Sequence, residues 1–309
     1  MRLAHLLIIV GLAGDPEHGE LFQKWGAALA DAAERLGVQR DRVLYLGERP
    51  EADAKRIAAR STRAEIEKAF GAVAQRAAPD DVVFIVLIGH GTFDGRVPKF
   101  NLPGPDMAPA DFAPLLKRLP SKHVVLINTT SASAPFVPEL SGPGRTIVTA
   151  TRSGSERFAT LFGGPFVSAL TSADADADKN GRVSVLEAFD FARRQVAGAY
   201  EREGLLATEH AVLDDDGDGK ASGEPSAQAG DGRMAAVLSL GSLDAAEPLP
   251  ADPRLRALHA ERRELEGRVE SLKLLKASMD PARYAAELEK VLTQLALKSR
   301  EIRQLEEKK

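Results

Sequence analysis

The stretch Asp81–Gly91, DVVFIVLIGHG, constrains the fold of this chain more than any other. It is an almost unbroken apolar run that ends in glycine, histidine and glycine. A run this uniform is typical of a strand covered on both faces, as in the middle of a parallel sheet. Gly89 and Gly91 have no side chains, so other groups can approach His90 closely. The sequence therefore predicts a central strand that carries His90 to the carboxyl edge of the sheet, where ligands collect. The alternative is a hydrogen-bonded histidine in a strand-to-loop turn.

The surrounding chain has the pattern of an α/β domain. From Ala4 to about Val212, apolar strands alternate with amphipathic helices, which predicts a largely parallel sheet flanked by helices. One helix is expected to begin at Thr62, because Thr62 and Glu65 have the spacing of a capping box. The predicted strands are Leu6–Gly11, Arg42–Gly47, Val82–Ile88, Val124–Ile127 and Thr146–Thr151, and the other predicted helices are Leu21–Leu36 and Asp111–Leu119.

Composition removes several classes of function. The 309 residues include no cysteine, which excludes disulfides, thiolate metal sites and a cysteine nucleophile. A net charge of -4 and only 5% aromatic residues argue against a nucleic-acid partner. No apolar run reaches membrane-spanning length.

The first residues, MRLAHLLIIVGLAGDP, resemble a short signal peptide, but His5 interrupts the apolar run and no small-residue cleavage site follows. We interpret them as the first strand. The expected location is then cytoplasmic as the chain stands, or periplasmic or secreted if an upstream leader was removed.

Two predicted strands, Val82–Ile88 and Val124–Ile127, each end in a polar cluster. A right-handed crossover between neighbouring parallel strands points both ends the same way. His90 and the segment Asn128–Ser133 are therefore expected to be neighbours in space.

This arrangement resembles the caspase and haemoglobinase fold of cysteine peptidases, and its legumain-like branch in particular. The similarity covers about the first two thirds of the chain. It includes the opening strand with its Gly11 loop, the segments IGHG and LINTTSAS, and the late segment TEHAVLDDDGDG. The resemblance implies a caspase-like sheet with its active-site cleft at the carboxyl edge.

In that family a histidine after the third strand and a cysteine after the fourth form the catalytic dyad. His90 matches the histidine, whereas the cysteine position falls on Thr130, or on Ser131 if the alignment slips by one. A hydroxyl is not ionised at neutral pH and needs a base in direct hydrogen-bond contact. The resemblance therefore implies a catalytically inactive pseudopeptidase that acts in binding or regulation through a peptide or protein ligand. The alternative is an active peptidase or other hydrolase that uses Ser131 or Thr130 with His90.

Asparagine-specific legumains carry an arginine in the loop after the first strand. The matching residues here are Pro16, Glu17, His18 and Gly19, so the resemblance implies no preference for asparagine.

A second motif, DADKNGRVSVLE, has the spacing of a calcium loop. Asp176, Asp178 and Asn180 take positions one, three and five, the backbone carbonyl of Arg182 takes position seven, and Glu187 takes position twelve. Oxygen ligands at these positions can wrap a Ca²⁺ ion, and a glycine at position six permits the sharp turn. An Asx-rich turn that caps the next helix without a metal is the alternative.

The segment DDDGDGK looks like a second copy, with Asp214, Asp216 and Asp218 before Gly219. Position twelve is Pro225, so this copy lacks the closing carboxylate. We interpret it mainly as an acidic turn.

The last part of the chain changes character. Beyond Pro253 a charged, helix-forming sequence repeats apolar residues every seven positions before Asp280-Pro281 and at alternating four and three spacing after it. This pattern predicts an antiparallel, coiled-coil-like helical hairpin that can contact a protein partner. The seam residues are Leu258, Leu265, Leu272 and Met279 on the first helix and Tyr284, Leu288, Val291, Leu295, Ile302 and Leu305 on the second.

Three regions follow from these patterns. Residues 1–224 are predicted to form the caspase-like domain with the calcium-type loop, and residues 253–309 the helical hairpin. Residues 225–252 are rich in alanine, glycine, serine and proline and are predicted to be a linker, with Ala235–Gly241 as a short strand or packing segment within it.

Overall fold

The apolar runs of the sequence form one seven-stranded sheet in the computed structural model, which describes residues 3–228, 230–243, 252–259, 261–262, 265, 269 and 280–306. The strands of this sheet are β1 (Ala4–Val10), β2 (Val43–Gly47), β3 (Ala59–Arg60), β4 (Val82–Ile88), β7 (His123–Asn128), β8 (Arg145–Thr149) and β9 (Val212–Asp214). A separate two-stranded hairpin consists of β5 (Gly91–Phe93) and β6 (Pro98–Phe100).

The order across the sheet is β3-β2-β1-β4-β7-β8-β9. Every neighbouring pair is parallel except β8 and β9, which are antiparallel. The predicted α/β fold with a largely parallel sheet flanked by helices is confirmed.

Helices cover both faces of this sheet. They are α1 (Pro16–Arg35), α2 (Arg63–Arg76), α3 (Pro109–Lys117), α4 (Val137–Leu140), α5 (Gly163–Ala169) and α6 (Val185–Arg202). Helices α1, α5 and α6 pack on one face, and α2, α3 and α4 pack on the other. All seven residues of β4 are buried, because alternate side chains of a strand in such a sheet enter the two cores in turn. This explains why β4 has the most uniform apolar run in the sequence.

Several boundaries follow the local signals in the sequence. Thr62 caps α2 by accepting a hydrogen bond from the Glu65 amide, as its spacing predicts. Helix α1 begins at Pro16, five residues before the expected start at Leu21, because Asp15 serves as its N-cap and proline is favoured in the first helical turn.

The structure differs from the sequence interpretation in the predicted linker. Its described residues up to position 243 belong to a compact unit, Leu3–Ala246, rather than to a flexible connection. Ala235, Leu238 and Leu240 are buried in the same core as α6. The amide of Val185 donates to the carbonyl of Leu238 at 2.8 Å, so this segment lies beside the start of α6. Of the two interpretations of Ala235–Gly241, the packing segment agrees with these contacts, whereas the flexible linker predicted around it does not.

The C-terminal unit begins at Glu247. Residues 253–259, 261–262, 265 and 269 are helical, and a second helix spans Pro281–Glu306. His259 pairs with Glu306 at 3.6 Å and Glu261 pairs with Lys298 at 2.8 Å. The residue number of the contact increases along the first helix as it decreases along the second. The two helices are therefore antiparallel, which confirms the predicted hairpin. Leu255, Leu258 and Ile302 form its apolar seam, whereas Leu272, Met279 and positions 229 and 244–251 lie outside the described residues.

A buried polar cluster lies at the amino edge of the sheet. His5 Nε2 is 3.2 Å from Asp81 Oδ2 and 2.9 Å from Arg42 Nη1, and both His5 and Asp81 are buried. Asp81 also accepts hydrogen bonds from the amides of Leu3 and Ala78. Burial lowers the pKa of His5, and the Arg42 charge acts in the same direction against the opposing effect of Asp81.

This cluster predicts a pH-dependent stability. The folded-state pKa of His5 is below its unfolded value of about 6.5, so the stabilisation by the neutral imidazole is complete above that pH and is lost as the pH falls below it. We expect the free energy of unfolding of the wild type, relative to His5→Asn, to decrease between pH 7 and pH 5. Urea denaturation of both proteins at each pH measures this difference. Parallel pH profiles would show that His5 does not contribute.

Candidate active-site cleft and acidic loops

Strands β4 and β7 bring the two expected site segments together. The strands are neighbours, with Leu87 opposite Asn128, so the residues that follow them emerge at the same carboxyl edge. Directly after His90, the Gly91 amide donates to Ser131 Oγ at 3.4 Å. Ser131 Oγ donates in turn to the Gly91 carbonyl at 3.0 Å. The segments that carry His90 and Thr130-Ser131 are therefore neighbours at this edge, and this region is the candidate His90 cleft.

Glycine at position 91 is required for this close approach. A Cβ built on Gly91 would overlap the carbonyl oxygen of Ser131 and lie 2.7 Å from Thr130 Oγ1. At Gly89 the backbone has a φ of +154°, a conformation that side chains of L-amino acids rarely adopt. The glycines that flank the histidine in the sequence thus serve the packing of the loop.

The two candidate nucleophiles are held in structural hydrogen bonds. Thr130 is fully buried, and its Oγ1 donates to Asn128 Oδ1 at 2.7 Å. Ser131 is also buried and donates to Gly91, as described above. Neither hydroxyl is hydrogen-bonded to the His90 imidazole, which is the contact that a serine or threonine nucleophile needs.

His90 is surrounded by residues from the loop after β1 and from α1. Its ring centroid lies 4.7 Å from that of His18 and 5.1 Å from that of Phe22, in edge contacts. His18 Nδ1 lies 2.7 Å from Asp15 Oδ2. Burial lowers the pKa of His90, and His18 acts in the same direction, against a hydrogen bond with the Ala13 backbone. The neutral imidazole is therefore favoured in this cleft.

The remaining part of the β7 loop has a strained residue. Ala132 has a φ of +51°. This is a left-handed backbone conformation that residues other than glycine, asparagine and aspartate seldom adopt. Its amide donates to the Glu156 carbonyl at 2.8 Å. Glu156 Oε1 is in turn 2.6 Å from His210 Nδ1. This chain of contacts joins the β7 loop to the segment after β8 and to the segment before β9.

The predicted calcium loop lies between α5 and α6. Asp176, Asp178 and Glu187 offer carboxylate oxygens that lie within 4.8 Å of one another, and this group could hold a metal ion. Gly181 has a φ of +79°, as the sharp turn at position six requires. Asn180 donates from its side chain to Asp178 Oδ2 at 2.9 Å and accepts at Oδ1 from the Arg182 amide.

The same loop also caps α6. Ser184 is the N-cap, and Glu187 Oε2 accepts from the Ser184 amide at 2.9 Å, completing a capping box. Glu187 Oε1 accepts from the Ala177 amide. Glu187 thus fits both interpretations of the sequence, the helix cap and the twelfth position of a cation loop.

The second acidic segment is built differently. Asp214, Asp216 and Asp218 also lie close enough to hold a metal ion. Asp214 is fully buried, and burial raises its pKa, although Ser141 Oγ donates to both of its carboxylate oxygens. Asp231 accepts from the Asp215 amide at 2.9 Å. This aspartate lies within the predicted linker, and for that reason sequence spacing did not connect it to the cluster.

Sequence reasoning missed the residues that surround His90. The signal for them was local, because an aspartate before Pro16 followed by His18 marks a helix N-terminus. No sequence pattern indicates that this helix start packs against β4.

Comparisons with known proteins add little. No family model matches the sequence, and no curated protein is significantly similar to it. Among solved structures, a structural genomics protein from Geobacter sulfurreducens matches 68% of this chain and 92% of its own, with 14% sequence identity and a TM-score of 0.44. Among the described helices, none is long and apolar enough to cross a membrane.

Proposed function

We propose that this protein is a pseudopeptidase of the caspase and legumain-like fold that binds a peptide in the His90 cleft without cleaving it. The arrangement of the hydroxyls carries the proposal. Thr130 and Ser131 occupy the position where the resemblance expects a cysteine, yet both are buried and donate to Asn128 and Gly91. A thiolate can react without direct contact to a base, whereas a hydroxyl cannot.

A fluorophosphonate probe for serine hydrolases tests the catalytic part. We expect no labelling of the wild type and no turnover of a diverse peptide library. Thr130→Val should instead lower the free energy of unfolding by about 0.5–1.5 kcal/mol, because Asn128 Oδ1 loses the hydroxyl donor but keeps the Thr130 amide at 3.1 Å. Probe labelling or peptide turnover that disappears in Ser131→Ala or Thr130→Val would favour the alternative, a hydrolase that uses these residues with His90.

Selection of peptides from a displayed library tests the binding part. Peptides selected by the wild type should lose their binding in His90→Ala. His123→Ala is the matched control, because His123 begins β7 and lies at the opposite edge of the sheet. Equal loss in both variants, or failure to select any peptide, would contradict peptide binding in this cleft.

Ca²⁺ is the proposed ligand of the loop between α5 and α6. The ligand spacing supports it, since Asp176, Asp178, Asn180 and Glu187 take the side-chain positions of a calcium loop and the Arg182 carbonyl takes position seven. All of these ligands are oxygen atoms, which Ca²⁺ prefers. In this proposal the cation stabilises the compact unit Leu3–Ala246, which we call the body, and takes no part in peptide binding.

A further inference from the structure

A cavity of about 510 Å³ lies on the α6 side of the sheet, and His90, Thr130 and Ser131 are not among its lining residues. Its size falls within the range of small-molecule sites. The walls are mainly apolar and come from α6 and from the segments on either side of β9. The apolar lining includes Phe162, Val196, Ala197, Ala207, Ala211 and Val212.

Exposed apolar side chains accompany this cavity. Leu161 precedes the lining residue Phe162, and Leu205 and Leu206 precede the lining residue Ala207. Leu206 is 90% exposed and Leu205 is 61% exposed. Contiguous exposed apolar surface is typical of binding sites, and these leucines are the sequence neighbours of residues that line the cavity.

The charged side chains of the lining differ in how many of their polar atoms already bind other groups of the protein. Arg193 contacts Glu224 with both terminal nitrogens. Glu209 is buried and accepts from the amides of Leu161 and Phe162 at 2.7 and 3.1 Å. Glu209 and Glu224 are therefore paired within the protein, whereas Arg193 keeps a buried Nε that has no hydrogen-bond partner.

Arg152 and His210 are the remaining charged or titratable groups of the lining. Both contact Glu156 Oε1, Arg152 through Nε at 3.4 Å and His210 through Nδ1 at 2.6 Å. The Arg152 side chain is 63% exposed. A guanidinium has five N–H donors, so Arg152 retains donors that can hold a carboxylate.

We propose that this cavity binds a small apolar carboxylic acid, with the apolar chain against α6 and the carboxylate at Arg152. The apolar walls supply the burial of the chain. The exposed arginine supplies the charged hydrogen bonds that select a carboxylate over a neutral end group. This cavity shares none of the residues named for the proposed peptide cleft, although Glu156 contacts both Arg152 and the amide of Ala132 in the β7 loop.

Calorimetric titration with octanoate, octanol and octylamine tests the proposal, since the three probes differ only in their end group. Octanoate is expected to bind about tenfold more tightly than octanol, which corresponds to roughly 1.4 kcal/mol and is close to the lower limit for hydrogen bonds to charged groups. Octylamine should bind more weakly than both. Absence of octanoate binding at millimolar concentration, or equal binding of octanoate and octanol, would overturn the proposal.

Three variants locate the binding. Ala197→Trp fills the cavity from an exposed position on α6 and should abolish binding. Gln195→Trp places the same side chain on the same helix outside the lining and should leave binding unchanged. Arg152→Leu should reduce the affinity for octanoate about tenfold, because it removes the charged contact with the carboxylate. It should not reduce the affinity for octanol. Octanoate binding that survives Ala197→Trp would place the site elsewhere and refute the assignment.

Discussion

A chain that ends at Pro250 is expected to fold, whereas a chain that ends at Glu224 is not. The longer form keeps Leu238 and Leu240, which are buried in the core with α6. The shorter form loses both, and burial of each leucine contributes about 1.5–3 kcal/mol. It also removes the amides of Gly232 and Ala235, which donate to the buried carboxylate of Asp215 at 2.8 and 2.7 Å.

These losses are large compared with the total stability of about 5–15 kcal/mol of a typical domain. Far-ultraviolet circular dichroism and thermal melting of the two truncated chains measure the effect. The form ending at Pro250 should melt cooperatively at the temperature of the body in the full chain. Aggregation of that form would show that the hairpin covers an apolar surface of the body. A cooperative transition in the form ending at Glu224 would show that the packed segment is dispensable.

Calcium is expected to stabilise the body by about 2.7 kcal/mol when its free concentration is about 100-fold above the dissociation constant. The carboxylates of Asp176, Asp178 and Glu187 lie close together, so a divalent cation removes their mutual repulsion. For a domain of this size the gain corresponds to a rise in melting temperature of about 5–10 °C. Thermal melting in calcium and in chelator measures this rise.

Glu187→Gln separates the two roles of its side chain. Glutamine can complete a capping box with Ser184, but its NH2 group cannot accept from the Ala177 amide as Glu187 Oε1 does. It also cannot serve as the bidentate closing ligand of the cation. The variant should therefore lose some stability in chelator and, beyond that, most of the calcium-induced rise. Asp214→Asn is the control, and it should change that rise little because Asp214 belongs to the other acidic segment. A wild-type melting temperature indifferent to calcium and chelator would leave the loop as a helix cap only.

The residues that could be predicted from sequence are those whose signal is local. The uniform apolar run of β4 predicts a strand covered on both faces, because only a central strand of such a sheet can bury every residue. The Thr62 cap, the Gly181 turn and the apolar seam of the hairpin are also read from short spacings. The pairing of the His90 and Thr130-Ser131 segments follows from strand order, since parallel neighbours end at one edge.

Only the tertiary structure decided which groups the side-chain hydroxyls bind and where the irregular segments pack. The sequence alone placed Thr130 and Ser131 near His90, but it left open whether their hydroxyls face the imidazole or serve Asn128 and Gly91. Contacts of this kind join residues far apart in the chain and leave no periodic pattern. For the same reason the sequence indicates only that Ala235–Gly241 is a short strand or packing segment within a linker. Turns that pack by a few buried side chains have no sequence period, and their place in the core depends on the surface that α6 presents.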